Sequence, residues 1–303
     1  MNAQHIAPII VFAVLVASVV SVGRADDRQT LQVGGATRSY IVRAPELEKN
    51  GVRTPLVIVL HGGGGNAENA ERMTGFTVKA RKEGFVVVYP EGSGRLRHAL
   101  LTWNAGHCCG YAMKENVDDV AFISALIDKL EQSYLIDDKR IYITGMSNGG
   151  MMTHRLGIEL SQRIVAIAPV VGAVFGDERK PAQPVAALMI NGALDKSVPI
   201  QGGLSNGRGK NAWDGAPAKP ALEQSAFWAQ ANGCSDVPTK EESGVQIRWR
   251  HRCPVGRDVE LLLVKDNGHA WPGGEAGSRR GDKPSTSLNA VDAIWDFFKA
   301  HPA

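Results

Sequence analysis

No stretch of this sequence concentrates lysine and arginine: 34 basic and 31 acidic residues are interspersed over 303 positions and leave a formal charge of +3. A basic face able to hold nucleic acid is therefore not expected. Aromatic residues are few, 6% of the chain, while 44% is hydrophobic and 21% charged, which excludes disordered and collagen-like chains. Residues 9–22 are almost wholly apolar but fall short of the roughly 20 residues that span a bilayer. That stretch lacks a basic flank, since only His5 and the amino terminus precede it, yet Gly23 and Ala25 stand where a signal peptidase reads small residues. Residues 1–25 are expected to be a cleavable signal peptide, with an uncleaved anchor as the other reading. No internal repeat or proline-rich linker divides the remainder of the chain, so residues 26–303 are expected to form a single catalytic domain, secreted or periplasmic, with no stable membrane span after cleavage.

Cysteine is scarce, and no pair has the C-x₂-C spacing of a zinc site. Adjacent Cys108 and Cys109 cannot readily occupy two corners of a tetrahedron, so a zinc site built from His107, Cys108, Cys109 and His251 is the weaker reading and no metal is expected. In an oxidising compartment, Cys234 and Cys253 are expected to form a disulfide, while Cys108 and Cys109 either form a vicinal bridge or stay reduced.

What is present is an alternation of buried strands and amphipathic helices. Residues 29–45 alternate apolar and polar around Gly34-Gly35, as in a hairpin. The runs at 55–60 (PLVIVL) and 85–89 (FVVVY) are continuous and rich in β-branched residues, the pattern of strands covered on both faces. Further strands are expected at 140–144, 163–171, 185–190, 245–250 and 259–265. Helices are expected at 66–82, 117–135, 149–160, 221–231 and 288–300. Strands alternating with helices predict a mostly parallel central sheet with helices on both faces. Three stretches stay irregular: 90–115, 201–220 and 272–286. Loops of that length are either functional or simply mobile.

Strand 140–144 runs into Gly145-Met146-Ser147-Asn148-Gly149, a G-x-S-x-G between a strand and a helix. A serine on so tight a turn needs glycine two positions to either side, and the turn lifts its hydroxyl above the sheet at a helix N-terminus. After strand 55–60 comes His61-Gly62-Gly63-Gly64-Gly65-Asn66. Acyl transfer develops an oxyanion that preorganised N–H groups must meet; Gly63 and Asn148 are the expected donors. A phosphate loop is discounted because the Gly-Lys-Ser/Thr of a Walker motif is absent. Serine also needs a base and an orienting acid, in the chain order Ser, acid, His. His269 follows the last expected strand; His251 and His301 are the less suitable histidines behind the acids. Asp195, in the loop after strand 185–190, is the expected acid, with Asp177 and Asp214 as alternatives.

The segments LHGGGGN, TWNAGHCCG with VDDVAFI, GMSNGGMM and NGHAWPGG, spread over residues 29–300, resemble the secreted polyhydroxybutyrate depolymerase and feruloyl esterase family, near carbohydrate esterase family one. The resemblance implies the α/β-hydrolase fold and the triad Ser147, Asp195 and His269. It also implies that the loop bearing Trp103, Asn104, Cys108 and Cys109 packs near the site. Where that family usually has a polar residue second in Gly-x-x-Asp, this chain reads Gly192-Ala193-Leu194-Asp195. Trp103 and Trp271 are candidate substrate-binding residues, able to stack on a feruloyl group or a sugar ring, with core packing as the alternative. The expected activity is hydrolysis of phenolic or acetyl esters of plant polysaccharide without a cofactor; no separate binding domain for a solid polymer is visible. A depolymerase of hydroxybutyrate oligomers is the alternative, a peptidase of the same fold a weaker one, and a catalytically inactive hydrolase-fold binding protein the reading from another class. Oligomeric state is not legible.

Overall fold

A computed structural model describes residues 27–45, 51–207 and 209–303. The signal peptide expected at 1–25 lies outside the described residues. Strands β1 (Arg28–Val33) and β2 (Ala36–Arg43) form the expected hairpin, turning through Gly34 and Gly35 at φ 58° and 79°. Two successive positive φ angles make the tight turn whose twist matches paired strands, and glycine accepts them without strain.

The sheet is built around six parallel strands: β3 (Thr54–Leu60), β4 (Val86–Pro90), β5 (Ile136–Met146), β6 (Ala166–Val170), β7 (Ala186–Gly192) and β10 (Val259–Val264). With β8 (Thr239–Ser243) and β9 (Gln246–His251) the spatial order is β1-β2-β4-β3-β5-β6-β7-β10-β9-β8. The pairs β1–β2, β2–β4, β10–β9 and β8–β9 are antiparallel. Alternation along β3 explains its unbroken apolar run. Leu56, Ile58 and Leu60 join one core with α4 (Asp119–Ser133), α5 (Asn148–Glu159) and α6 (Ala221–Asn232). Val57 and Val59 join the other, with α1 (Ala67–Thr74), α2 (Phe76–Glu83) and α7 (Ala290–Ala300). Each face is covered by helices, so neither set of alternating side chains meets water.

Five elements differ from expectation. The helix expected at 66–82 breaks into α1 and α2 at Gly75, which takes a left-handed conformation. The irregular 90–115 segment contains a short helix, α3 (Gly110–Lys114). Strand β5 begins earlier, at Ile136, and β6 is shorter than 163–171. Strand β8 is not legible in the sequence at all: its residues TKEES are exposed throughout, and only its antiparallel pairing with β9 makes it a strand.

Candidate active site

Strand β5 ends at Met146 and α5 begins at Asn148, so the whole reversal falls on Ser147, at φ 58° and ψ −122°. A positive φ is costly for serine, and the surroundings hold it there: its N–H donates to the Val170 carbonyl at 2.9 Å. The flanking glycines are required by close approach. A Cβ on Gly145 would lie 2.6 Å from the Gly149 carbonyl oxygen and 2.8 Å from the Leu60 Cβ. One on Gly149 would lie 2.5 Å from the His61 carbonyl oxygen.

His269 approaches the serine from the turn after β10. Its Nε2 lies 2.7 Å from Ser147 Oγ and its Nδ1 2.8 Å from Asp195 Oδ2. A carboxylate only accepts, so Nδ1 carries a proton and Nε2 of the neutral ring is left to accept from the serine. The other oxygen of Asp195 accepts from the N–H groups of Ser197 (2.7 Å) and Val198 (2.8 Å), which fixes the carboxylate plane. The histidine turn is braced in turn. Buried Asn267 donates to the carbonyls of Gly268 (2.9 Å) and Ala270 (3.0 Å) and accepts from the Ser285 N–H (3.0 Å). Asp282 accepts from the His269 N–H at 2.7 Å. Gly192 lets the two turns close, because a Cβ there would strike the carbonyls of Asn267 and Gly268.

The glycine loop after β3 backs onto the start of α5: a Cβ on Gly63 would lie 3.5 Å from that of Asn148, and both residues line the cavity with Ser147. Asn66 caps α1 by accepting from the Asn69 N–H at 2.8 Å. His61 is buried. Its Nε2 accepts from the Gly92 N–H (3.0 Å), so Nδ1 is the protonated nitrogen and donates to the Gly62 carbonyl (2.8 Å). Burial pushes this imidazole down to about 4, keeping it neutral. The Asn148 side chain clamps the 102–110 loop, accepting from the Trp103 N–H (2.7 Å) and donating to its carbonyl (3.0 Å). Within the VDD segment, Asp118 caps α4 and Asp119 accepts from the Asn104 N–H (2.7 Å) while pairing with buried Arg38 (2.6 Å).

Above Ser147 lies a cavity of about 1090 Å³ whose walls include Gly62–Asn66, Cys109, Lys196, Trp213, His269 and Asp282. The two tryptophans expected to bind substrate are not among them. Trp103 is fully buried and donates its indole N–H to the His61 carbonyl at 3.0 Å, as a strut under the glycine loop. Trp271 is also buried, edge-on to Phe76 in the core. Both expectations are corrected, since a ring already covered on its faces has none left for a ligand. The aromatic wall is Trp213, from the irregular 201–220 segment, and residues of 272–286 line the cavity too. A lone tryptophan within a glycine-rich loop was the available signal.

The alternative acids meet a different histidine. His107 Nδ1 bonds Asp214 at 2.7 Å and its Nε2 bonds Asp177 at 2.9 Å. His251 bonds the Ser235 carbonyl and His301 bonds Asp258, so neither approaches Ser147. Cys234 pairs with Cys253 as expected, and Cys108 pairs with Cys109. Among the described residues, no helix is long and apolar enough to cross a membrane.

Feruloyl esterase B of Piromyces equi is 31% identical over 79% of this chain, which spans 44% of that protein. The bifunctional acetylxylan esterase/xylanase XynS20E of Neocallimastix patriciarum is 28% identical over 87% of this chain, which spans 33% of it. Among solved structures, an acetyl xylan esterase from Aspergillus awamori superposes with a TM-score of 0.60 at 12% identity, over 90% of this chain and 98% of that one. The fold is that of the α/β-hydrolases, as expected from the sequence motifs. Residues 39–209 match the family described as Esterase PHB depolymerase, more than half of the sequence, and the chain belongs to that family of ester hydrolases.

Proposed function

We propose that this protein is an exported serine carboxylic-ester hydrolase working through an acyl-enzyme, with residues 26–303 as one catalytic unit. The observation that carries the reading is the continuous hydrogen-bonded line Ser147–His269–Asp195 at 2.7 and 2.8 Å. His269 Nε2 takes the serine proton as Oγ attacks the ester carbonyl, and Asp195 holds the ring and steadies its positive charge. The tetrahedral oxyanion is met by the N–H groups of Gly63 and Asn148, at the positive end of α5. His269 then gives its proton to the departing alcohol. Water enters, loses a proton to the same nitrogen and releases the acid. Export is supported by the apolar stretch 9–22 and by the two disulfides.

The substrates proposed are phenolic or acetyl esters of plant polysaccharide. The names of the fungal relatives support this, as does a large cavity that sets Asn66, Asn69, Lys196 and Asp282 beside one aromatic side, Trp213. The family description favours a second reading, hydrolysis of hydroxybutyrate oligomers. Ser147→Ala is expected to abolish labelling by a fluorophosphonate probe and to cut nitrophenyl-ester turnover by about 10⁴-fold or more. Full labelling or turnover in that variant would sink the serine assignment, and failure of the native protein to label would favour an inactive binding protein. Turnover of methyl ferulate, acetylated xylan and hydroxybutyrate oligomers, measured side by side, decides the substrate; preference for the oligomers overturns the first reading.

A further inference from the structure

His107 lies outside the relay, yet both of its ring nitrogens are tethered beside the same cavity. Its two ring nitrogens bond two carboxylates, Asp214 from the 201–220 loop and Asp177 from the loop after β6. Since carboxylates only accept, both nitrogens must be donors, and the arrangement is complete only when the ring is an imidazolium. The ring also packs on Phe175 (centroids 4.9 Å apart), and Phe175 meets Trp213 edge-on at 5.6 Å. Trp213 is the aromatic wall of the cavity. The backbone repeats the connection: the Asp214 N–H donates to the His107 carbonyl at 3.1 Å. Phe175 is itself fixed, because Glu178 accepts from its N–H and from that of Gly176.

We infer that His107 is a positioning residue: by bridging Asp177 and Asp214 and packing on Phe175, it holds Trp213 against the cavity and thereby sets the affinity for ring-bearing acyl groups. This deepens the esterase reading, since the wall belongs to the same cavity. The charged groups facing the ring are Asp177 and Asp214, from the two loops packed on its own; the Lys219 side chain lies against Gly176, beside Asp177. The hydrogen bond to Asp177, with that to Asp214, raises the His107 pKa above its usual value. A raised imidazole keeps its clamp below pH 6.5 and loses it as pH climbs through the raised value, when one of the two donors disappears.

The test is a calorimetric titration of ferulate into the native protein and into His107→Ala, His107→Gln, Trp213→Ala and the Ala double variant, from pH 5.5 to 8.5. Binding does not require turnover, so a failed Ser147 assignment leaves this result readable. His107→Ala is expected to weaken ferulate binding about fivefold to tenfold, the size of one lost aromatic contact. In the Trp213→Ala background the same change is expected to add less than about twofold, because the two residues act through one wall. His107→Gln keeps a polar bridge without a titrating charge, so native binding is expected to weaken more steeply with rising pH than that of the glutamine variant. Additive losses, a pH trend in His107→Gln as steep as in the native protein, or no ferulate binding by the native protein would each overturn the inference.

Discussion

His269 and His107 both bind carboxylates at hydrogen-bond distance, but they stand on different footings. His269 and its partners occupy turns at the ends of parallel strands, where backbone contacts tolerate only glycine at positions 145, 149 and 192. His107 joins three surface loops. The carboxylate of Asp195 is buried, whereas those of Asp177 and Asp214 are largely exposed. One ring has a single acid and a nitrogen left facing a hydroxyl; the other has both nitrogens taken. The first can exchange a proton with a substrate, and the second can only hold position. A histidine between two acids is held protonated, with no lone pair free to take a proton from a nucleophile, whereas a histidine with one acid keeps that lone pair.

The comparison is broken most directly by exchanging the acids' roles. Asp195→Asn leaves the shape of the relay but turns the imidazole to the wrong tautomer, and ester turnover is expected to fall about 10²–10⁴-fold. Asp177→Asn and Asp214→Asn are expected to cost less than about tenfold, since those partners only steady a wall. Steady-state kinetics on a nitrophenyl ester measure both, and equal losses would erase the distinction between relay and clamp.

Acid sharpens it next, because the two sides respond to pH with opposite sign. His61, beneath the glycine loop, and His154, on α5, are buried and held down to about 4 and about 3 by burial. In the unfolded chain both take up protons near the usual 6.5, so between these values the unfolded state binds more protons. Stability is therefore full above pH 6.5 and falls as the pH drops through 4, by roughly 3 kcal/mol for a shift the size of His61's. Tm followed from pH 7 to pH 4 should drop, and His61→Gln should drop less. The clamp at His107 weakens instead as pH rises.

Smallest is the expected effect of Gly149→Ala on stability, about 1–3 kcal/mol, from a methyl group forced against the Leu60 and His61 carbonyls. Denaturant melts measure it. An unchanged midpoint would mean that the strand-end side is as pliable as the loops.

Much of this was legible in the sequence because it is local. Continuous apolar runs announced strands covered on both faces, and G-x-S-x-G between a strand and a helix carried its own geometric requirement. The expected relay residues meet, and Gly63 lies against Asn148. The tryptophans failed for a physical reason: an indole is large and apolar, and whether its faces are covered by the chain or left for a ligand depends on distant residues. Trp103 is roofed by the glycine loop and Trp271 by the α2 side of the core, while Trp213 stays at the cavity.

The acids show where the boundary runs. Chain order marked Asp177, Asp195 and Asp214 as able to follow the serine and precede the histidine, and the place of Asp195 in the loop after strand 185–190, together with the family resemblance, made it the expected acid. The sequence by itself determined the residue types proposed to react, serine, histidine and carboxylate, along with the strands that carry them, because those depend on periodicity and on turns a few residues long. Only the tertiary structure decided which carboxylate meets His269 and which pair holds His107. Hydrogen bonds reach about 3 Å, and bringing residues 70 and 107 positions apart within that reach is the work of loop packing that no local pattern records.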